Sequence, residues 1–295
     1  MKNYNFGIEI EMTGLTRSKA ARVLADYFGT STNYDNSVND QSGRKWKIEY
    51  DGSITPSGGD DTKVELVSQI CTYEDIETIQ EITRRLRKAG ARGNSSTGIH
   101  IHVNGADHNA NSLRNLTNIM VAKEDLLVEA IAVKADRMSY CEKADEEFIK
   151  RVNKRIPRTK EQFMQRWYEG HSEPRTRNYH PSRYRILNIH SMTTKGTVEF
   201  RCFNSQEAIR HAGILKAYIQ LVLAINHQAI TQKFATPRKS KPQSKKFSMR
   251  VWMIRMGMNG AEFKTARTHL LANLSGDTAF ATGRPTATQN NEEVA

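Results

Sequence analysis

The stretch GIEIE, Gly7 to Glu11, sets Glu9 and Glu11 two positions apart, with Ile8, Ile10 and then Met12 between and after them. Side chains alternate faces along a β-strand, so this pattern sends the apolar residues into a core and both carboxylates onto the opposite face. Two carboxylates held that close repel by about 1 kcal/mol when fully hydrated and by several times that where water is partly excluded. A cation is expected between them.

Three later segments repeat the construction. DGSI supplies Asp51, and KVELVS follows it with Glu65 between Val64 and Leu66; TGIHIHV places His100 and His102 on one strand face; TVEFRCF does the same with Glu199 and Arg201. Strand patterns therefore fall at about residues 4–12, 45–50, 63–70, 98–103, 184–189 and 196–203. Helical patterns fall at 17–28, 73–89, 112–135, 160–168 and 206–228, with Thr16, Thr72 and Asn111 as cap candidates, and a helical hairpin is expected over 247–274. Strands that cluster in the first third and recur near residue 190 indicate an α+β fold with a largely antiparallel sheet of about six strands.

The 295 residues are read as one catalytic domain over 1–275, with a charged insertion at 136–182, a basic exposed loop at 233–250 and a disordered tail at 276–295. The loop has seven basic side chains and no acidic one, and the insertion is rich in Arg and poor in apolar spacing. Three cysteines without CxxC spacing suggest neither a disulfide framework nor a thiolate zinc site, so a reducing cytoplasm is expected. The most apolar run, GILKAYIQLVLAIN, is interrupted by Lys216 and Gln220, and charged Glu9 and Glu11 stand where a signal peptide needs its apolar stretch. No membrane association is expected. A formal charge of +12 favours anionic partners such as nucleotides or nucleic acid without choosing among them.

If the patterned strands are sheet neighbours, Glu9, Glu11, Glu65, Glu199, a histidine and Arg201 converge over one surface. Four carboxylates and one arginine do not balance, and oxygen-rich ligands with one or two imidazoles suit magnesium or manganese better than zinc. Each piece alone has a plainer reading. An isolated ExE is usually a solvated strand face. The HIH pair fits a zinc pair or two hydrogen-bonded imidazoles as well as a magnesium role, Arg201 could simply pair with Glu199, and Arg183 lies among four arginines at 175–185, most of which must be exposed.

In order, GIEIE, DGS followed by ELVS, GIHIH, RYRILN and TVEFR resemble the motif series of the amidoligase family, over roughly residues 4 to 230. That family is similar in fold to glutamine synthetase and glutamate–cysteine ligase. The resemblance implies a curved sheet like the glutamine synthetase catalytic domain, and ATP-dependent joining of a carboxylate to an amine, on small molecules or peptides, through an acyl phosphate. It implies two or three magnesium ions held by Glu9, Glu11, Glu65, Glu199 and His100. It also implies that His102 and Arg201 face nucleotide phosphate, with Asp51, Arg183 and Asn188 as weaker matches. A lid is expected from PSGGDD, residues 56–61, or from the 233–250 loop. The alternatives from the same residues are a divalent-metal hydrolase of amide or phosphoester bonds and a basic nucleic-acid-binding protein. The oligomeric state is not legible.

Overall fold

The computed structural model describes residues 1–282. The fold is α+β, built on an open sheet of seven strands in the order β2-β3-β4-β1-β5-β7-β6, with every pairing antiparallel. The strands are β1 (Phe6–Met12), β2 (Val38–Asn39), β3 (Lys45–Glu49), β4 (Val64–Val67), β5 (Gly98–Asn104), β6 (Leu187–Asn188) and β7 (Thr197–Asn204). The additional strand is the two-residue edge β2. Two others are shorter than their patterns. β4 stops at Val67 because the Ser68 hydroxyl takes the Ile8 N–H, and Ile70 beyond it is exposed. The expected strand at 184–189 shrinks to β6 because a 3-10 turn at Pro181–Arg183 runs into it.

Alternation decides the two faces. Phe6, Ile8, Ile10, Ile99, Ile101, Val103, Val198 and Phe200 are buried on one side, under α3 (Ala110–Ile131), α7 (Ser205–Arg210) and α8 (Ala212–Thr231). α8 is apolar nearly all round, as a helix enclosed by others must be. Its two interrupting polar residues both meet Glu262: Gln220 donates to it at 3.0 Å and Lys216 pairs with it at 3.1 Å. The expected single helix at 206–228 is divided into α7 and α8 at His211, whose backbone is extended.

α1 (Arg17–Phe28) begins at Thr16, whose hydroxyl accepts the Lys19 N–H, and ends at Gly29 in the left-handed region, φ 66°. The other two cap expectations need correction. α2 (Asp75–Ala89) has no Thr72 cap; instead the Asp75 carboxylate accepts the Thr72 N–H at 2.8 Å. α3 is capped by Asn109 and not Asn111, with Asn109 and Ser112 exchanging hydrogen bonds.

Residues 136–182 do hold apolar spacing: α4 (Glu146–Lys154) and α5 (Lys160–Tyr168) bury Phe148, Val152, Phe163 and Trp167 in the main core. The 233–250 segment is no free loop either. Asn115 accepts the Ala235 N–H at 3.0 Å, Asn118 donates to the Ala235 carbonyl at 2.9 Å, Lys239 pairs with Glu124 at 2.6 Å, and from Lys245 onward it is helix α9 (Lys245–Arg255). With α10 (Lys264–Ala272), α9 completes the expected hairpin. The tail expected at 276–295 lies from residue 283 onward outside the described residues. Among the described residues no helix is long and apolar enough to cross a membrane, and all three cysteines are free and buried.

Candidate active site

The polar face of the sheet gathers what the four segments carry. β1 lies between β4 and β5, so Glu11 sits directly opposite Glu65, and Glu9 opposite His100. β7 follows β5, which puts Glu199 opposite His102, and β6 then sets Asn188 opposite Glu199. Glu9, Glu11, Glu65, His100, Glu199, Arg201, Asp51, Arg183 and Asn188 all line one cleft of about 650 Å³.

His100 is the hub. Its Nδ1 lies 3.1 Å from Glu9 Oε2 and 3.6 Å from Glu199 Oε1, and its Nε2 lies 3.5 Å from Glu11 Oε1. His102 shares the face but lines a neighbouring cavity of about 390 Å³, where its Nδ1 meets the Thr197 hydroxyl at 2.9 Å. Its Nε2 is 3.3 Å from Glu9 Oε1 without the alignment of a hydrogen bond. Arg201 forms the expected ion pair with Glu199 while still bordering the cleft. Asn188 turns inward: its amide donates to Glu199 Oε2 at 2.6 Å and its oxygen accepts the Ser191 N–H. Asp51 holds the turn after β3 by accepting from the Ser53 N–H and hydroxyl, both at 2.7 Å. Arg183 stands at the rim with its guanidinium over the Tyr179 ring, 5.1 Å away.

The charges on this face are unequally supported. Burial would raise the Glu9 carboxyl, yet the hydrogen bond with His100 and the close approach of His102 hold it well below its usual range. Burial also opposes ionisation of Glu199, but Arg201 and the two histidines prevail and hold it at about 2. Glu11 accepts the Gly98 N–H at 2.6 Å and lies 3.8 Å from Arg137. Glu65 has none of this help. It lies opposite Glu11 on one side and Glu49 on the other, and among the described residues no cation comes within ion-pair distance of it. Burial, reinforced by Glu9 and Glu11, pushes its carboxyl well above the ordinary range.

Three groups on this face could hold a cation, each with one donor atom per residue inside 4.8 Å of the others: Glu9, Glu65 and His100; Glu11, Asp51 and Glu65; Glu9, His102 and Glu199. An uncompensated carboxylate beside oxygen-rich donor sets with at most one imidazole fits a hard divalent ion.

Two residues escaped the sequence reading. Lys195, in the turn before β7, reaches back across the sheet to pair with Glu9. Its only signal was its place just before TVEFR. Arg137, buried in the expected insertion, donates to the Arg201 carbonyl at 3.1 Å and lies against Gly98, where an added Cβ would fall 2.1 Å from its guanidinium. Neither 56–61 nor 233–250 lines the cleft, and its roof comes from Tyr140, Asn178, Tyr179, Arg183 and Tyr184.

An antiparallel sheet with helices on one face and a carboxylate-lined cleft on the other defines an α+β protein with a polar, acidic site. The chain belongs to the family described as putative amidoligase enzyme, whose model matches residues 2–226 and so spans every strand. Membership suggests an amide-bond-forming ligase. No curated protein matches the chain.

Proposed function

We propose that the protein is an ATP-dependent carboxylate–amine ligase working through an acyl phosphate, on a sheet of the glutamine synthetase kind, with magnesium or manganese as its resident ion. The observation that carries this reading is Glu65, a carboxylate set between Glu11 and Glu49 that forms no ion pair with a cation among the described residues. The three donor groups named above would hold the ions. Bound there, magnesium would neutralise phosphate oxygens so that a carboxylate can approach a phosphoryl group.

The chain's own residues supply the rest. Arg201, fixed by Glu199 and bordering the cleft, presents its remaining N–H groups to phosphoryl oxygens. His100 holds Glu9, Glu11 and Glu199 in one arrangement. Asn188 orients Glu199 from behind, a positioning role in place of contact with nucleotide. Lys195, whose side chain is half exposed, pairs with the Glu9 oxygen that an ion held by Glu9 would otherwise use. His102 faces the smaller cavity across Glu9, which suits a second entry to the same centre. The roof of Tyr140, Tyr179, Arg183 and Tyr184 keeps water from an acyl phosphate until an amine displaces phosphate.

The test is release of ADP from ATP and magnesium in the presence of pooled acids and amines. The reading expects release that requires both an acid and an amine. Intact ATP with every pool, together with cleavage of an amide or phosphoester, would establish the hydrolase instead.

A further inference from the structure

The loop that roofs the cleft contains a cluster unconnected with the sheet: His171, Glu173 and His180, with one donor atom of each within 4.8 Å of the other two. His180 is fully buried. Its Nδ1 accepts the Ser182 N–H at 3.2 Å and lies 2.8 Å from the Ser182 hydroxyl, and Trp167 Nε1 donates to that hydroxyl at 3.0 Å. Its Nε2 is buried and makes no hydrogen bond among the described residues. The His171 ring stands edge-on to it, centroids 4.9 Å apart. His190 stacks on the other side at 5.0 Å, but both its nitrogens are engaged, by the Tyr168 hydroxyl at 2.6 Å and the Arg177 carbonyl at 2.9 Å.

We propose that His171, Glu173 and His180 form a second metal site, for a borderline transition-metal ion of the zinc type, which fastens the roof of the cleft. Two imidazoles and one carboxylate are a zinc donor set and a poor magnesium one. Metal on Nε2 would require the Nδ1–H tautomer, so the Ser182 N–H bond to Nδ1 would give way and Nδ1–H would donate to the Ser182 hydroxyl, the outer hydrogen bond that orients a ligating imidazole. Tetrahedral bonds of about 2.0–2.1 Å place donors roughly 3.3 Å apart, so the ligands must close by about 1.5 Å or less. Gly170, at φ 96° with open space around it, is the pivot that lets His171 and Glu173 do so. The nearby Arg175 is already paired with Glu161 at 3.0 Å. The three ligands bracket residues 174–179, and Asn178 and Tyr179 of that bracket line the cleft. An ion here sets the height of the roof whatever reaction runs beneath it.

The test titrates Zn²⁺ into chelator-stripped full-length protein in excess magnesium, comparing wild type with His171→Ala/Glu173→Gln. Both positions are only partly buried, so the variant is expected to keep its fold by circular dichroism. Wild type should take up one zinc equivalent more than the variant, with two imidazole nitrogens in its X-ray absorption spectrum, and a Glu9→Gln/Glu199→Gln protein should keep that equivalent. Zinc should also slow trypsin cleavage at Arg175 and Arg177 in wild type and leave the variant unaffected. Equal zinc uptake by wild type and the His171→Ala/Glu173→Gln variant, or cleavage indifferent to zinc in both, overturns the proposal.

Discussion

Burial and the neighbouring Glu9 and Glu11 charges keep a proton on Glu65 at pH values where an ordinary glutamate, near 4.5, has lost it. Between that value and its raised one the folded chain binds a proton that the unfolded chain does not, so stability falls as pH rises. Glu65→Gln removes this loss. Without metal, the variant should melt with wild type near pH 4.5 and progressively above it as pH rises from there, by about 2 °C for each kcal/mol relieved in a chain this large. Parallel melting curves across that range would deny Glu65 its unpaired burden. The same variant should gain less than wild type from added magnesium. Glu9→Gln and Glu199→Gln should each lower ADP release by about 10²–10³-fold or more, the scale for losing one charge-stabilising group, with unchanged circular dichroism. Full activity in both would remove these residues from the centre.

Strands show how far a local pattern carries. The period of two in GIEIE, VELV, GIHIHV and TVEFR specified which side chains share a face, and β1, β4, β5 and β7 place them so. Only its place just before TVEFR marked Lys195, because its contact with Glu9 depends on β7 lying two strands from β1. Arg137 was hidden for the same reason, and the insertion it belongs to was misread as apolar-poor because α4 and α5 are only nine residues each. The close approach of Arg137 to Gly98 can be measured. Gly98→Ala should destabilise by about 1–3 kcal/mol through overpacking. Arg137→Ala in the same chain should recover part of that loss, giving a coupling that a urea-denaturation cycle detects. Simple additivity would mean that the two do not press on each other.

The whole molecule buries its thiols as thoroughly as its carboxylates are gathered. Cys71 is fully enclosed and burial pushes it up to about 12, while burial raises Cys141 and Cys202 as well. Native protein should therefore resist a thiol reagent at pH 8, and all three cysteines should react once it is denatured. Rapid labelling of the native chain would contradict this packing. The strand order has a further consequence, for the chain as it leaves the ribosome. β1 is made first but stands mid-sheet, and its partner across β5 is not made until residue 197. Glu9 and Glu199 thus meet only after some two hundred residues exist, so the Glu9–His102–Glu199 group closes late, whereas Glu9, Glu11, Asp51, Glu65 and His100 are all made within the first hundred residues and can crowd one another from then on.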